Sequence, residues 1–79
     1  MKLLDAEGLA MIGAVEDAKL VKLEKGKAKI VLKKVDGEVV ETEPVDVDVA
    51  AKSYFIILEY MRKWGKDINP MRSGITGEG

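Results

Sequence analysis

The alternation of apolar and polar residues over positions 29–49 predicts a β-hairpin. Apolar residues alternate with lysines before the dipeptide Asp36-Gly37, and with acidic residues after it. An Asp-Gly dipeptide between two such runs is a strong hairpin signal. A three-residue loop Val35-Asp36-Gly37, with Gly37 left-handed, sets Leu32 opposite Val40 and keeps apolar residues on one face. The other pairs of this register are Lys34 with Glu38, Val31 with Glu41, Ile30 with Thr42 and Lys29 with Glu43.

The preceding segment, "KLVKLEKGKAKIVL", predicts another hairpin that shares its second strand with the first. A turn at Lys25-Gly26 that pairs Glu24 with Lys27 sets Val21 opposite Ile30. Both hairpins then place their apolar residues on one face, which indicates a three-stranded antiparallel meander. That face comprises Val21, Leu23, Ala28, Ile30, Leu32, Val40 and Thr42.

The third strand is interrupted at Pro44, which has no N–H to donate to a neighbouring strand. After Pro44 the apolar positions Val45, Val47 and Val49 follow the opposite phase of alternation. The chain is therefore expected to bulge or bend at this point.

Residues 49–64 form the clearest predicted helix, with Asp48 as its cap and Gly65 at its end. Its predicted core-facing stripe consists of Tyr54, Ile57, Leu58 and Met61, with Ala50 and Ala51 above. A second apolar stripe of Ile56, Tyr60 and Trp64 lies beside the first and leaves only a narrow polar strip. This apolar arc is wider than one side of an ordinary surface helix requires.

Residues 5–16 fit two structures. Asp5 can cap a helix that directs Met11, Ile12 and Val15 inward, although two glycines weaken that helix; a buried strand over residues 9–15 is the alternative. With the helix, the fold class is α+β in the order α-β-β-β-α, and with the strand it is a four-stranded sheet and one helix. Residues 1–66 are predicted to form the single domain, and residues 67–79 a loop and flexible tail.

Composition limits the classes of protein that the chain can belong to. Its 79 residues include no cysteine and no histidine, which excludes disulfides, haem and ordinary zinc sites. We expect no cofactor and no catalytic centre, because nucleophilic triads lack their usual base. No apolar run approaches the about 20 residues of a membrane span, and no secretory signal is visible, so we expect a cytoplasmic protein. The abundance of Lys and Glu, with a single Asn and no Gln, is typical of thermophiles.

Charge is segregated along the chain. Residues 19–34 carry seven lysines against one glutamate, and residues 36–48 carry six acids and no base, although the net charge is only −1. We interpret the two blocks as strands whose charges neutralise each other. The alternative is a nucleic-acid-binding face of Lys22, Lys27, Lys29 and Lys33, which we do not favour because no aromatic residue is interleaved for base stacking. Asp46 and Asp48 lie on one side of the predicted strand and form a weak candidate cation site.

The excess of apolar surface is the remaining functional signal. The residues that we expect at a protein interface are Ile56, Tyr60 and Trp64 on the helix and Leu20, Val31 and Val39 on the outer sheet face. Exposed apolar patches often mark interaction sites, and the simplest partner is a second copy in a symmetric homodimer. The competing interpretation is that an N-terminal helix covers the second stripe. The sequence therefore predicts a non-enzymatic interaction or assembly module.

Overall fold

The computed structural model describes residues 1–65 and the strand at residues 75–77, in one α+β arrangement. Two helices, three antiparallel strands and a short fourth one follow each other in the predicted order α-β-β-β-α, which confirms the fold class. The helices and strands are α1 (Leu3–Met11), β1 (Val15–Lys22), β2 (Lys27–Lys34), β3 (Val39–Glu41), β4 (Val45–Asp46), α2 (Val47–Lys63) and β5 (Ile75–Gly77).

The sheet has the order β3-β2-β1-β5, and the short strand β4 also pairs with β2. Strand β5 runs parallel to β1, with Leu20 opposite Ile75, and the sequence pattern did not predict it. Both helices contribute to a core with the sheet residues Ala28, Ile30 and Leu32. The rest of the predicted loop and tail, residues 67–74 and 78–79, lies outside the described residues.

The predicted register of the second hairpin is confirmed. Leu32 lies opposite Val40 and Val31 opposite Glu41, and the Lys34 N–H donates to the Glu38 carbonyl. Gly37 has φ of +94°, and its N–H donates to the Lys34 carbonyl at 2.9 Å, which closes the turn. Since a left-handed residue is required at this position of a three-residue loop, the glycine determines the register.

The predicted register of the first hairpin is wrong by one residue. The loop contains Glu24, Lys25 and Gly26, and the Leu23 N–H donates to the Lys27 carbonyl at 2.8 Å. Leu20 therefore lies opposite Ile30. A one-residue slip exchanges the two faces of a strand, and both faces of β1 carry apolar residues, so alternation alone did not discriminate between them.

A bulge between β3 and β4 reconciles the two phases of alternation around Pro44. The Thr42 N–H still donates to the Ile30 carbonyl, but Ala28 lies opposite Val45, which adds one residue to the strand. The Ile30 N–H donates at 2.8 Å to the buried Thr42 hydroxyl. The extra residue returns Val45 to the core face, as the phase change predicted.

Helix α2 begins two residues earlier than predicted. Asp46, not Asp48, is the N-cap residue, and Asp48 lies in the first turn. All four predicted core residues, Tyr54, Ile57, Leu58 and Met61, are buried. Gly65, with φ of +84°, follows the helix end as expected for a left-handed terminator.

Helix α1 exists, but its predicted start and inward face are wrong. Asp5 lies in its first turn rather than at the cap. The helix buries Ala6 and Ala10, whereas Met11 and Ile12 are exposed. Val15 is buried as predicted, but it is the first residue of β1 and not part of the helix. Two alanines allow the backbone to approach the core closely, with Leu3 and Leu9 packed partly buried against it, whereas Leu4 and Met11 are exposed.

The buried Thr42 hydroxyl should be a measurable contributor to stability. We expect Thr42→Val, which keeps the shape and removes the acceptor of the Ile30 N–H, to lower the free energy of unfolding by about 1–3 kcal/mol. Thr42→Ser retains the acceptor and should cost only about 1 kcal/mol for the lost methyl group. Urea unfolding of both variants measures the difference, and a Val variant as stable as wild type would contradict this role.

The Tyr54 hydroxyl, unlike that of Thr42, should not contribute to the stability of the fold. Tyr54 is fully buried, and among the described side chains its hydroxyl is the buried polar atom without a hydrogen-bond partner. We expect Tyr54→Phe to leave the free energy of unfolding unchanged or to raise it by up to about 2 kcal/mol, because no bond is lost and a desolvated group is removed.

Tyr54→Phe should also change how the free energy of unfolding depends on pH in the alkaline range. Burial, with a contribution from Asp17, raises the pKa of Tyr54. Above about pH 10 the unfolded chain therefore loses this proton before the folded protein does, and stability falls as pH rises. The advantage of Tyr54→Phe over wild type should grow across this range in urea titrations; a constant difference would refute the assignment.

Candidate interaction surface

The second apolar stripe of α2 is only partly covered. Tyr60 is half-buried and packs against the core, whereas Ile56 is 41% exposed and Trp64 is 57% exposed. Tyr60 is thus partly covered within the protein, whereas Ile56 and Trp64 remain accessible.

Trp64 joins α2 to the end of α1. Its indole Nε1 donates to the Met11 carbonyl at 3.0 Å. Its ring lies so close to Gly13, which has φ of +77°, that a Cβ at that position would be 2.8 Å from the indole Cδ2 and Cε2. Earlier in both helices, the Ser53 hydroxyl donates to the Glu7 carboxylate at 2.7 Å. These two hydrogen bonds and the ring contact supplement the apolar core that the two helices share.

The outer side of α1 is an apolar surface that sequence reasoning missed. Leu4 is 78% exposed and Ile12 is 68% exposed, and Met11 is also exposed beside Trp64. A signal was present in the sequence, since "LLDAEGLAM" is apolar around most of its circumference. A helix of that kind is usually covered on both sides.

We call the exposed residues Met11, Ile56 and Trp64 the helical surface. They come from α1, from α2 and from the residue that caps the end of α2, and Ile56 lies one turn after Ser53, which bonds Glu7 of α1. Met and Trp are enriched at protein interfaces because they present large, adaptable apolar area. Phe55, on another side of α2, is also exposed and was not predicted as an interface residue.

The outer sheet face contributes less than predicted to an apolar surface. Leu20, which was predicted there, is only 4% exposed and belongs to the core, because the first hairpin has the other register. Val31 is half-buried and Val39 exposed, and both line a shallow cavity of about 230 Å³ on this face. The cavity is also lined by Asp17, Lys19 and Lys33.

The four predicted nucleic-acid contacts do not share one face. Lys22 lies opposite the buried Ala28, on the helix side of the sheet, and its place on the outer face is taken by Lys19 opposite Val31. Lys27, Lys29 and Lys33 remain on the outer face, as expected from their alternation with buried residues. The slip of the first hairpin is the reason for this change.

Acidic residues neutralise much of the lysine block. Lys29 pairs with Glu41 at 2.7 Å and Lys27 with Asp46 at 2.9 Å, while Lys34 contacts Glu38 at 3.0 Å. Lys34 also approaches Asp36 at 3.9 Å. The hydrogen bond to Glu38 raises the pKa of Lys34, and the hydrogen bond from Lys27 lowers the pKa of Asp46. The interpretation of the two charge blocks as mutually neutralising strands is thus supported by direct contacts.

The candidate cation site at Asp46 and Asp48 loses its geometric basis. Asp46 is bound to Lys27, and Asp48 is the second residue of α2, so the two no longer lie on one side of a strand. Within the part of the chain that the structure describes, no group of three or more acidic residues is arranged to hold a metal ion.

No known protein family, curated protein or solved structure matches the chain. Among the helices of the described residues, none combines the length and apolar character needed to cross a bilayer.

The contact between Gly13 and Trp64 can be tested with a matched pair of glycine variants. We expect Gly13→Ala to lower the free energy of unfolding by at least about 2 kcal/mol, because of its positive φ and the displaced indole. Gly8→Ala, within α1 and with open space around its Cβ, should instead raise it by about 0.5–1 kcal/mol. Thermal and urea unfolding compare the two, and equal effects would exclude the contact.

Proposed function

We propose that the protein is a small, non-enzymatic assembly module that self-associates through the helical surface of Met11, Ile56 and Trp64. The observation that carries the proposal is the exposure of apolar side chains from both helices on the layer that the sheet does not cover. An exposed Trp beside a Met is the kind of pair that a partner surface buries at the centre of a contact.

A second copy is the partner that needs the fewest assumptions. A two-fold contact uses the same patch on both chains, so one apolar surface suffices. A domain of this size also removes a modest fraction of its surface from water, and burial of the helical surface in a dimer would add to its stability. The absence of cysteine and the lack of an apolar span are consistent with a cytoplasmic module.

Nucleic-acid binding is the less favoured function. Its four proposed lysines lie on two faces of the sheet, and two of them are engaged by carboxylates. An enzymatic function has no support in the sequence, because neither histidine nor cysteine is present.

Sedimentation equilibrium tests the proposed self-association. We expect a monomer–dimer equilibrium with a dissociation constant in the range of about 1–100 μM for wild type. Ile56→Lys and Met11→Lys should each weaken it at least about tenfold, because a charge would be buried in an apolar contact. Neither side chain belongs to the buried core, so both variants should stay folded.

Val35→Lys is the matched control. Val35 is equally apolar and exposed, but it lies in the turn between β2 and β3. This variant should dimerise like wild type. A wild-type protein that stays monomeric at about 500 μM, or equal weakening by Val35→Lys, would overturn the proposal.

A further inference from the structure

The side of α2 that points away from the core carries one large apolar residue among charged ones. Phe55, the middle residue of the helix, is 49% exposed, and Asp48, Lys52 and Glu59 are exposed along the same side. Spacings of four, three and four residues place these side chains on one face of a helix. We call these four residues the outer face of α2. Ile56 of the helical surface borders it.

The charges along this side are opposite in sign at equal distances from the middle of the helix. An α-helix rises about 1.5 Å per residue, so Lys52 lies about 5 Å before a point just after Phe55, and Glu59 lies about 5 Å beyond it. Asp48 precedes the same point by about 11 Å, and the exposed Lys63 follows it by about 11 Å. Each charge therefore has its opposite at the corresponding position in the other half of the helix.

The helix dipole accounts for the outer two charges but not for the inner two. An acidic residue is favoured in the first turn and a basic one in the last, as found for Asp48 and Lys63. Lys52 in the first half and Glu59 in the second have the reverse order, and the dipole acts only within the end turns. Within the described residues, Asp48 and Lys52 form no salt bridge, and Glu59 contacts Arg62 at 3.1 Å.

We propose that two copies of the protein pair their α2 helices in antiparallel orientation, with the two-fold axis beside Phe55. Lys52 of each copy then lies opposite Glu59 of the other, and Asp48 lies opposite Lys63. A two-fold contact repeats every pair, so each ion pair forms twice in the dimer. This inference rests on the proposed self-association and adds which face of α2 meets the second copy, and in which register.

The pairing also brings the helical surface into the contact. Successive residues of a helix are about 100° apart, so Phe55 and Ile56 flank the line of charges on its two sides. Each of them lies near the two-fold axis and meets its own copy. Val49, which is 47% exposed, lies on the same side of the line as Ile56 and comes beside the end of the other copy's α2, where Trp64 is exposed. The ion pairs are thereby enclosed by apolar side chains, which reduces their screening by salt.

The charge pattern distinguishes this pairing from the alternatives. A parallel pairing of the same faces would place Lys52 opposite Lys52 and Glu59 opposite Glu59, and like charges across a contact are unfavourable. A different partner protein would need only charges that complement its own. Opposite charges at matching distances from the helix middle are what a second, antiparallel copy requires.

Charge reversal at Lys52 and Glu59 tests the pairing. Lys52→Glu sets acid opposite acid, and Glu59→Lys sets base opposite base, while both exposed positions leave the core intact. We expect each variant to raise the dissociation constant of self-association at least about tenfold in about 20 mM salt, and less in about 500 mM salt. An equimolar mixture of the two variants should associate like wild type, because every acid then faces a base. Sedimentation equilibrium measures all four samples.

Lys19→Glu is the matched control, because Lys19 is exposed on the sheet and the change in net charge equals that of Lys52→Glu. This variant should associate like wild type. The pairing is overturned if either reversal leaves association unchanged, or if the mixture associates no better than its components. In those cases weakening by Ile56→Lys would still support the helical surface. A wild type that stays monomeric at about 500 μM overturns the self-association and this pairing together.

Discussion

Strand β2 constrains the rest of the structure because it pairs with β1 on one side and with both β3 and β4 on the other. Its residues Ala28, Ile30 and Leu32 are fully buried beneath the helices. A shift of any partner strand by one residue would exchange the faces of that strand and expose its apolar side chains. The registers of three neighbouring strands are thereby tied to one apolar face.

The segregated charges serve this pairing more than they serve a ligand. Lys27, Lys29 and Lys34 of β2 each contact an acidic residue from the block that follows. Exposed ion pairs of this kind contribute at most about 1 kcal/mol each, so they do not hold the fold together. They favour one register over others, because a shifted strand would lose these opposite-charge pairs.

The two helices leave apolar surface in two places for one reason. Helix α1 directs Ala6 and Ala10 to the core, whereas Leu4 in the helix and Ile12 just after it are exposed. Trp64, docked on Gly13, closes the junction with α2 but remains half-exposed. Helix α1 therefore borders the helical surface through Met11 and lines a cavity beside Val40 through Leu4 and Leu9.

Part of the candidate site followed from spacing alone. The i, i+4 and i+8 positions of Ile56, Tyr60 and Trp64 identify a stripe beside the core, whatever the helix packs against. The exposed fraction of each of these side chains was not predictable from the sequence, because it depends on where α1 lies. The outward face of α1 was missed, since a helix with apolar residues in most positions does not indicate which side its neighbours will cover.

The sequence by itself determined the second hairpin, the extent of α2's core stripe and the bulge near Pro44. Each depends on local chemistry: a left-handed Gly37, a periodicity of 3.6 residues, and a proline without an N–H. Tertiary structure decided the register of β1, the inward face of α1 and the pairing of β5. Both faces of β1 and of α1 carry apolar residues, and β5 has only three residues. Only packing against the other elements therefore discriminates between the alternatives.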